Sequence, residues 1–98
     1  MESSVIKHIV MWKLRKAGDA AQFKAKLDSC KGLVPGMREF EAAVRTEGLE
    51  ANCDVVLVSS FDDRAALQAY LEHPTHVEVS AVLGGLRESR SVLDYETH

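Results

Sequence analysis

The chain has 98 residues, 46% hydrophobic and 28% charged, a balance typical of a small globular protein. This length suits one domain and is too short for two, so residues 1–98 are predicted to form a single domain. The formal net charge is −3, and Lys and Arg are scattered among Asp and Glu without a basic stripe, which argues against nucleic acid as a partner.

The amino-terminal region predicts neither a membrane span nor a secretory signal. Lys7, His8 and Lys13 interrupt the apolar stretch of residues 5–14, which is also too short to cross a bilayer. No positively charged segment precedes a long apolar run. Cys30 and Cys53 form no CxxC motif and are expected to be reduced. We therefore expect a cytoplasmic protein.

Residues 5–14 predict a strand that is covered on both faces. One face carries Ile6, His8, Val10, Trp12 and Leu14, and the other carries Val5, Lys7, Ile9, Met11 and Lys13. Asp19 is the predicted N-cap of a helix that reaches residue 31, with Phe23, Leu27 and Cys30 on its buried side. Two further strands are predicted at residues 37–46, with one solvated face, and at residues 54–61, where four consecutive apolar residues indicate a central strand.

The second helical region is predicted in two parts. Asp62 or Asp63 caps the first part, which ends at Pro74 because helices usually stop before the residue preceding a proline. Thr75 and Glu78 have the spacing of a capping box, so a further helix is expected to begin at Thr75 and to reach residue 86, weakened at the glycine pair 84–85. A short strand at residues 91–95 completes the order.

The predicted order βαββαβ is the ferredoxin-like α+β arrangement, in which helices cover one face of a four-stranded antiparallel sheet. Nothing in the chain is left to cover the other face, although Val5, Ile9 and Met11 lie there. A second copy of the chain would cover it, so we predict a homodimer that forms through the sheet faces, a dimeric α/β barrel.

Several segments resemble the stress-responsive α/β-barrel (Dabb) family. They are residues 6–14 (IKHIVMWKL), the turn at residues 33–37 (LVPGM), residues 70–76 (YLEHPTH) and the closing LDY at residues 93–95. The resemblance covers essentially the whole chain and implies the same dimeric barrel. Known members include stress-associated proteins, a stable ring-former and plant polyketide cyclases of the olivetolic acid cyclase kind.

The resemblance also implies site residues. The acid/base pair of the cyclases corresponds to Tyr70 and His76, their first-strand histidine to His8, and their acid near the end to Asp94. The chain departs from the cyclases at Lys24 and Leu27, which replace aromatic residues. It departs also at Trp12, which replaces a smaller aliphatic residue and is expected to shrink the cavity. We therefore do not expect this chain to bind the substrate of the cyclases.

The chemistry of these residues supports two interpretations. Near a helix N-terminus, His76 would tend to stay neutral and accept a proton. The Tyr70 hydroxyl could hydrogen-bond a carbonyl or its enolate, so the pair could abstract a proton next to a carbonyl without a cofactor. Alternatively, His76 is a polar first-turn residue and Tyr70 a core aromatic.

His8 alternates with apolar residues on a face that should be buried, and a buried imidazole needs a partner, for which Asp94 is the natural candidate. No compact metal-ligand spacing is present, so no metal is predicted. The catalytic candidates are His76 and Tyr70, and the candidate substrate-binding residues are His8, Val10, Trp12, Phe23, His73 and Asp94.

Two function hypotheses follow. In the first, each subunit holds a small carbonyl-bearing ligand and performs cyclase- or isomerase-like acid/base chemistry. In the second, the protein is a non-catalytic, stress-associated structural or ligand-binding homodimer whose core is completed by Trp12 and its neighbours. A monooxygenase on the related barrel shares only architecture with this chain.

Overall fold

The computed structural model describes residues 4–97. A one-turn 3₁₀ helix (Ala17–Asp19) precedes α1. The elements follow in the order β1 (Ile6–Leu14), α1 (Ala20–Asp28), β2 (Met37–Val44), β3 (Val55–Phe61), α2 (Arg64–Glu72), α3 (Pro74–Leu86) and β4 (Arg87–Glu96). This order confirms the predicted βαββαβ arrangement, including the division of the second helical region at Pro74.

The four strands form one sheet in the order β2-β3-β1-β4, and all three neighbouring pairs are antiparallel. This is the ferredoxin-like fold, so the predicted fold class is confirmed. β1 occupies an interior position and pairs with both β3 and β4. The register places His8 directly opposite Ser59 on one side and Asp94 on the other.

Three strand or helix ends differ from the sequence-based prediction by two residues or more. α1 ends at Asp28 and β2 at Val44, before residues 31 and 46. β4 begins at Arg87 rather than at residue 91, because it pairs with β1 over its whole length, from Leu14 opposite Arg87 to Ile6 opposite Glu96. This long-range pairing outweighs the low strand propensity of the charged residues at the start of β4.

The cap of α3 also differs from the prediction. His73, rather than Thr75, is the N-cap, and its Nδ1 accepts a hydrogen bond of 3.1 Å from the Thr75 amide. Pro74 then occupies the first helical position, where its missing N–H costs nothing. The capping-box prediction was therefore wrong, and His76 is the third residue of α3 rather than the first. α3 also continues through the glycine pair 84–85.

At the start of α2, Asp63 is the N-cap and accepts a hydrogen bond from the Ala66 amide, so the second of the two predicted caps is confirmed. Asp19 holds the N-cap position of α1 as predicted, although within residues 4–97 its side chain makes no capping hydrogen bond.

The helices cover one face of the sheet, which we call the inner face, and the core lies between them. Alternate residues of β1 point into it, which explains their burial. The buried apolar cluster consists of Val10, Trp12, Leu14, Phe23, Leu27, Cys30, Ala42, Val55, Leu57, Phe61, Tyr70, Val79 and Leu83.

The opposite face of the sheet, the outer face, has no helix over it. The strand register brings apolar residues of all four strands together on it: Ile9, Met11, Ala43, Val56, Val58, Leu93 and Tyr95. Met11 is 43% exposed and Leu93 is 65% exposed. The predicted uncovered apolar face is therefore confirmed.

Candidate functional site

A cavity of about 410 Å³ lies between the inner face of the sheet and the helices. This volume falls in the range of sites for small organic molecules. Buried residues of β1, β3 and α2 form its floor, and exposed or half-buried residues of α3 and β4 form its mouth. The lining residues are His8, Val10, Trp12, Leu27, Cys30, Leu57, Tyr70, His76, Val77, Val79, Ser80, Ala81, Leu83, Arg87 and Arg90.

Trp12 is 5% exposed and lies in the wall of this cavity. Its ring meets that of Phe23 edge-on, with the ring centroids 5.0 Å apart. This geometry is favourable for two aromatic rings and holds the indole against α1. Trp12 therefore leaves the space beside Tyr70 and His76 open.

His76 is held by a hydrogen bond that fixes its tautomer. Its Nδ1 lies 3.0 Å from the carbonyl oxygen of Leu71, at the end of α2. Because a carbonyl oxygen can only accept, Nδ1 carries the proton and donates it, and Nε2 has the free lone pair. Burial is the main cause that lowers the pKa of His76, and the Leu71 carbonyl opposes it. The ring is therefore neutral at pH 7, with Nε2 available as a base.

Tyr70 is 1% exposed and lies beside His76, with the two ring centroids 4.5 Å apart. Its side chain points into the core because residue 70 lies on the buried stripe of α2. Burial, followed by the neighbouring Cys30 thiol, raises the pKa of Tyr70 far above its usual value. The phenol therefore stays protonated and can serve as a hydrogen-bond donor, but it does not ionise.

His8 completes this group of rings from β1, with its centroid 6.3 Å from that of Tyr70. Its Nδ1 lies 2.5 Å from Oδ1 of Asp94, the residue opposite it on β4. The predicted His8–Asp94 pair is therefore confirmed. Because a carboxylate accepts, Nδ1 of His8 is the donor, and its Nε2 is the nitrogen left for a ligand.

Replacing Asp94 with alanine should destabilise the protein by about 1–3 kcal/mol, because it leaves the donor of a buried imidazole without its partner. The His8 side chain is 3% exposed and that of Asp94 is 39% exposed, so water that enters from the Asp94 side offsets part of the loss and keeps it within this range. The free energy of unfolding, measured with urea, tests this.

Glu96→Ala is the matched control, since Glu96 lies two residues further along the same strand and, within residues 4–97, its carboxylate forms a single salt bridge, with Arg64 at 3.4 Å on the surface. It should change the free energy of unfolding by less than about 1 kcal/mol. Equal losses in the two variants would show that the His8–Asp94 bond contributes nothing specific.

Comparison with known protein families shows to which family the chain belongs. It matches the sequence model of the stress-responsive A/B barrel domain (Dabb) over residues 6–97, nearly its whole length. The chain belongs to the Dabb family. The resemblance seen in the sequence is thereby confirmed. A comparison with curated proteins finds no match.

Solved structures with the same fold include enzymes and proteins of unknown function. A dimeric ferredoxin-like protein of unknown function from Bacteroides fragilis is 28% identical, with a TM-score of 0.79 over 95% of this chain and 96% of that one. A hydroxynitrile lyase from Passiflora edulis is 18% identical, with a TM-score of 0.79 over 96% and 94% of the two chains. A cofactor-independent oxygenase from Streptomyces nogalater is 11% identical, with a TM-score of 0.78 over 98% and 95%. The last two likenesses show the fold alone.

In this Dabb protein, the residues predicted for the site divide into two groups. His8, Val10, Trp12, Tyr70 and His76 line the same cavity. The other three lie outside its lining and support it: Phe23 packs beside Trp12, His73 caps α3, and Asp94 holds His8. A direct role of these three in substrate binding stays a prediction.

Several lining residues were not predicted from the sequence. Cys30 follows α1 and comes close to Tyr70 only in the folded chain. Arg87 and Arg90 belong to the part of β4 that precedes the predicted strand. A signal for Arg90 was present, since it continues the alternation of Asp94 and Val92 towards the start of the strand.

Within residues 4–97, no three His, Cys, Asp or Glu side chains lie close enough together to hold a metal ion. No helix in the same part of the chain is long and apolar enough to span a membrane.

Proposed function

We propose that each subunit of a homodimer binds a small carbonyl-bearing molecule in the cavity and transfers a proton at the carbon next to the carbonyl, without a cofactor. One observation carries this proposal. The ring of His76 has its Nδ1 proton held by Leu71 and lies 4.5 Å, centroid to centroid, from the phenol of Tyr70 at the same cavity. A base and a neutral hydrogen-bond donor are thus side by side.

In the proposed reaction, Nε2 of His76 takes a proton from the carbon beside the carbonyl. The C–H bond breaks, an N–H bond forms, and the electron pair moves to the carbonyl oxygen to give an enolate. The Tyr70 hydroxyl donates a hydrogen bond to this oxygen, where negative charge develops. Transfer of this proton from His76 to another atom of the ligand would complete an isomerisation. Attack of the enolate carbon on a second carbonyl of the same ligand, whose oxygen then takes the proton from His76, would complete a ring closure.

The buried floor of the cavity strengthens both steps. His8, Val10 and Tyr70 are each at most 3% exposed, so a ligand that fills the cavity leaves few water molecules around the Tyr70 hydroxyl and the atoms it contacts. In such surroundings a fixed donor stabilises developing charge more than water does, and it needs no rearrangement during the reaction. The names of the Passiflora lyase and the Streptomyces oxygenase support the view that this fold can hold catalytic sites.

Deuterium exchange tests the proposal without knowledge of the natural substrate. Acetophenone, 3-benzoylpropanamide and 3-benzoylpropanoate would each be incubated with the protein in D₂O, and the loss of the proton signal next to the ketone followed by NMR. We expect faster exchange than with free imidazole at the same concentration. Exchange no faster than with imidazole for all three ketones would overturn the proposal.

The rate should rise with pH through the pKa of His76, because only the neutral ring can accept a proton. Burial lowers this pKa, so the midpoint should lie below 6.5, the ordinary value for histidine. The rate of exchange, corrected for buffer catalysis and measured from acidic to neutral pH, gives the midpoint. A midpoint above 6.5 would assign the base to another group.

The alternative function, a non-catalytic ligand-binding dimer, is favoured by one observation. Tyr70 is almost completely buried and lies against Cys30, as a core aromatic residue would. In that case ketones would bind in the cavity without any increase in exchange. The exchange experiment therefore distinguishes the two functions.

The homodimer is supported by the uncovered outer face and by the Bacteroides relative, which is described as dimeric. A second copy placed sheet against sheet would bury the exposed side chains of Met11, Leu93 and Tyr95. A cytoplasmic location is also part of the proposal, supported by Cys30 and Cys53, which are both free.

A further inference from the structure

The mouth of the cavity carries two arginines, Arg87 and Arg90, that the proposed proton transfer does not use. No Asp or Glu is among the lining residues. Across residues 4–97, the salt bridges of the chain use other cations, and neither of these arginines takes part in one. The positive charge at the mouth is therefore not neutralised by the chain, although the whole chain has a net charge of −3.

The strand register places Arg90 on the inner face. It lies opposite Trp12 on β1, whose side chain forms the cavity wall, and two residues before Val92 on the same face of β4. Its charge also acts on His76, where it is one of the causes that lower the pKa of the ring. Arg90 is therefore close to the proposed base, at the solvent side of the cavity.

We propose that the ligand is an organic acid, with an apolar ketone-bearing body against the floor of the cavity and a carboxylate at Arg87 and Arg90. This inference rests on the proposed function and specifies its substrate class as keto acids. An arginine can donate two parallel hydrogen bonds to a carboxylate, and such charge-assisted bonds are stronger than neutral ones. Holding the acid group at the mouth would direct the ketone towards Tyr70 and His76.

A matched pair of ligands tests the inference. 3-Benzoylpropanoate and 3-benzoylpropanamide differ only in the acid group, and both carry the ketone. The chain has a single tryptophan, and Trp12 lies in the cavity wall, so its fluorescence reports binding directly. We expect the acid to bind about tenfold more tightly than the amide, equivalent to about 1.4 kcal/mol, and the difference to shrink as salt is added.

Substitutions should locate the effect. Arg90→Gln and Arg87→Gln should each weaken binding of the acid by several-fold and leave binding of the amide unchanged. Arg45→Gln is the control, because it removes the same charge from an exposed residue that is not part of the cavity lining. It should leave the affinity for both ligands unchanged.

The inference is overturned by equal affinity of the unsubstituted protein for acid and amide, by no binding of the acid, or by an equal loss of affinity in the Arg45 control. If inorganic phosphate displaces the acid at concentrations where acetate does not, the two arginines bind a phosphate group in preference to a carboxylate. That result would refute keto acids as the substrate class. The proposed proton transfer is judged separately, since the amide and acetophenone lack the acid group. Exchange in those two ketones without preference for the acid would leave the catalysis standing and refute only the substrate class.

Discussion

Replacing His76 with alanine should lower the rate of proton exchange about a hundred- to ten-thousandfold, the usual contribution of a positioned general base. The variant removes Nε2, the only free ring nitrogen of a histidine whose other nitrogen is held by Leu71. The substitution also removes that hydrogen bond, which should cost about 1 kcal/mol of stability. Deuterium exchange and urea unfolding, measured on the same preparation, separate the two effects.

Tyr70→Phe should lower the same rate by a smaller factor, because the base remains and only the hydrogen bond to the enolate oxygen is lost. The pH midpoint of the rate should stay where it is, since that midpoint belongs to His76. Tyr95→Phe is the matched control: it removes the other tyrosine hydroxyl of the chain, which lies on the outer face of the sheet. An unchanged rate in the folded His76→Ala protein would refute the proposed mechanism.

The fold was predictable from the sequence because its signals are local and agree with one another. Pro74 divides the second helical region whatever the tertiary structure around it. Apolar residues on both faces of β1 require that both faces be covered. The burial of His8 was predictable for the same reason, since it alternates with Ile6 and Val10. Once His8 is buried it needs an acceptor, which led to Asp94.

The failures have long-range or competing local causes. Both Thr75 and His73 could cap α3, and the preference of proline for the first helical position decides for His73. The start of β4 depends on pairing with β1, which no local pattern of charged residues reveals. The approach of Cys30 to Tyr70, and of Arg90 to His76, exists only after the sheet and helices have assembled.

Leu93→Asp should convert the protein from a dimer into a monomer. Leu93 is 65% exposed on the outer face, beside Ile9, its partner on β1. In a sheet-to-sheet dimer, two-fold symmetry would bury two such carboxylates in an apolar interface. This should cost roughly 3 kcal/mol or more and raise the dissociation constant by about a hundredfold or more. Sedimentation velocity at micromolar concentration would show the loss of the species at twice 10.8 kDa.

Val92→Asp is the control for this change, because Val92 is the preceding residue of β4, is 47% exposed, and lies on the inner face opposite Val10. It introduces the same charge at a similarly exposed position, but on the side of the sheet that the helices cover. The dimer should persist in this variant. If both variants dissociate, the contact between the subunits is not confined to the outer face. A stable monomer of the unsubstituted chain would refute the dimer itself. The exchange rate measured on the Leu93→Asp monomer would also show whether the site works without its partner.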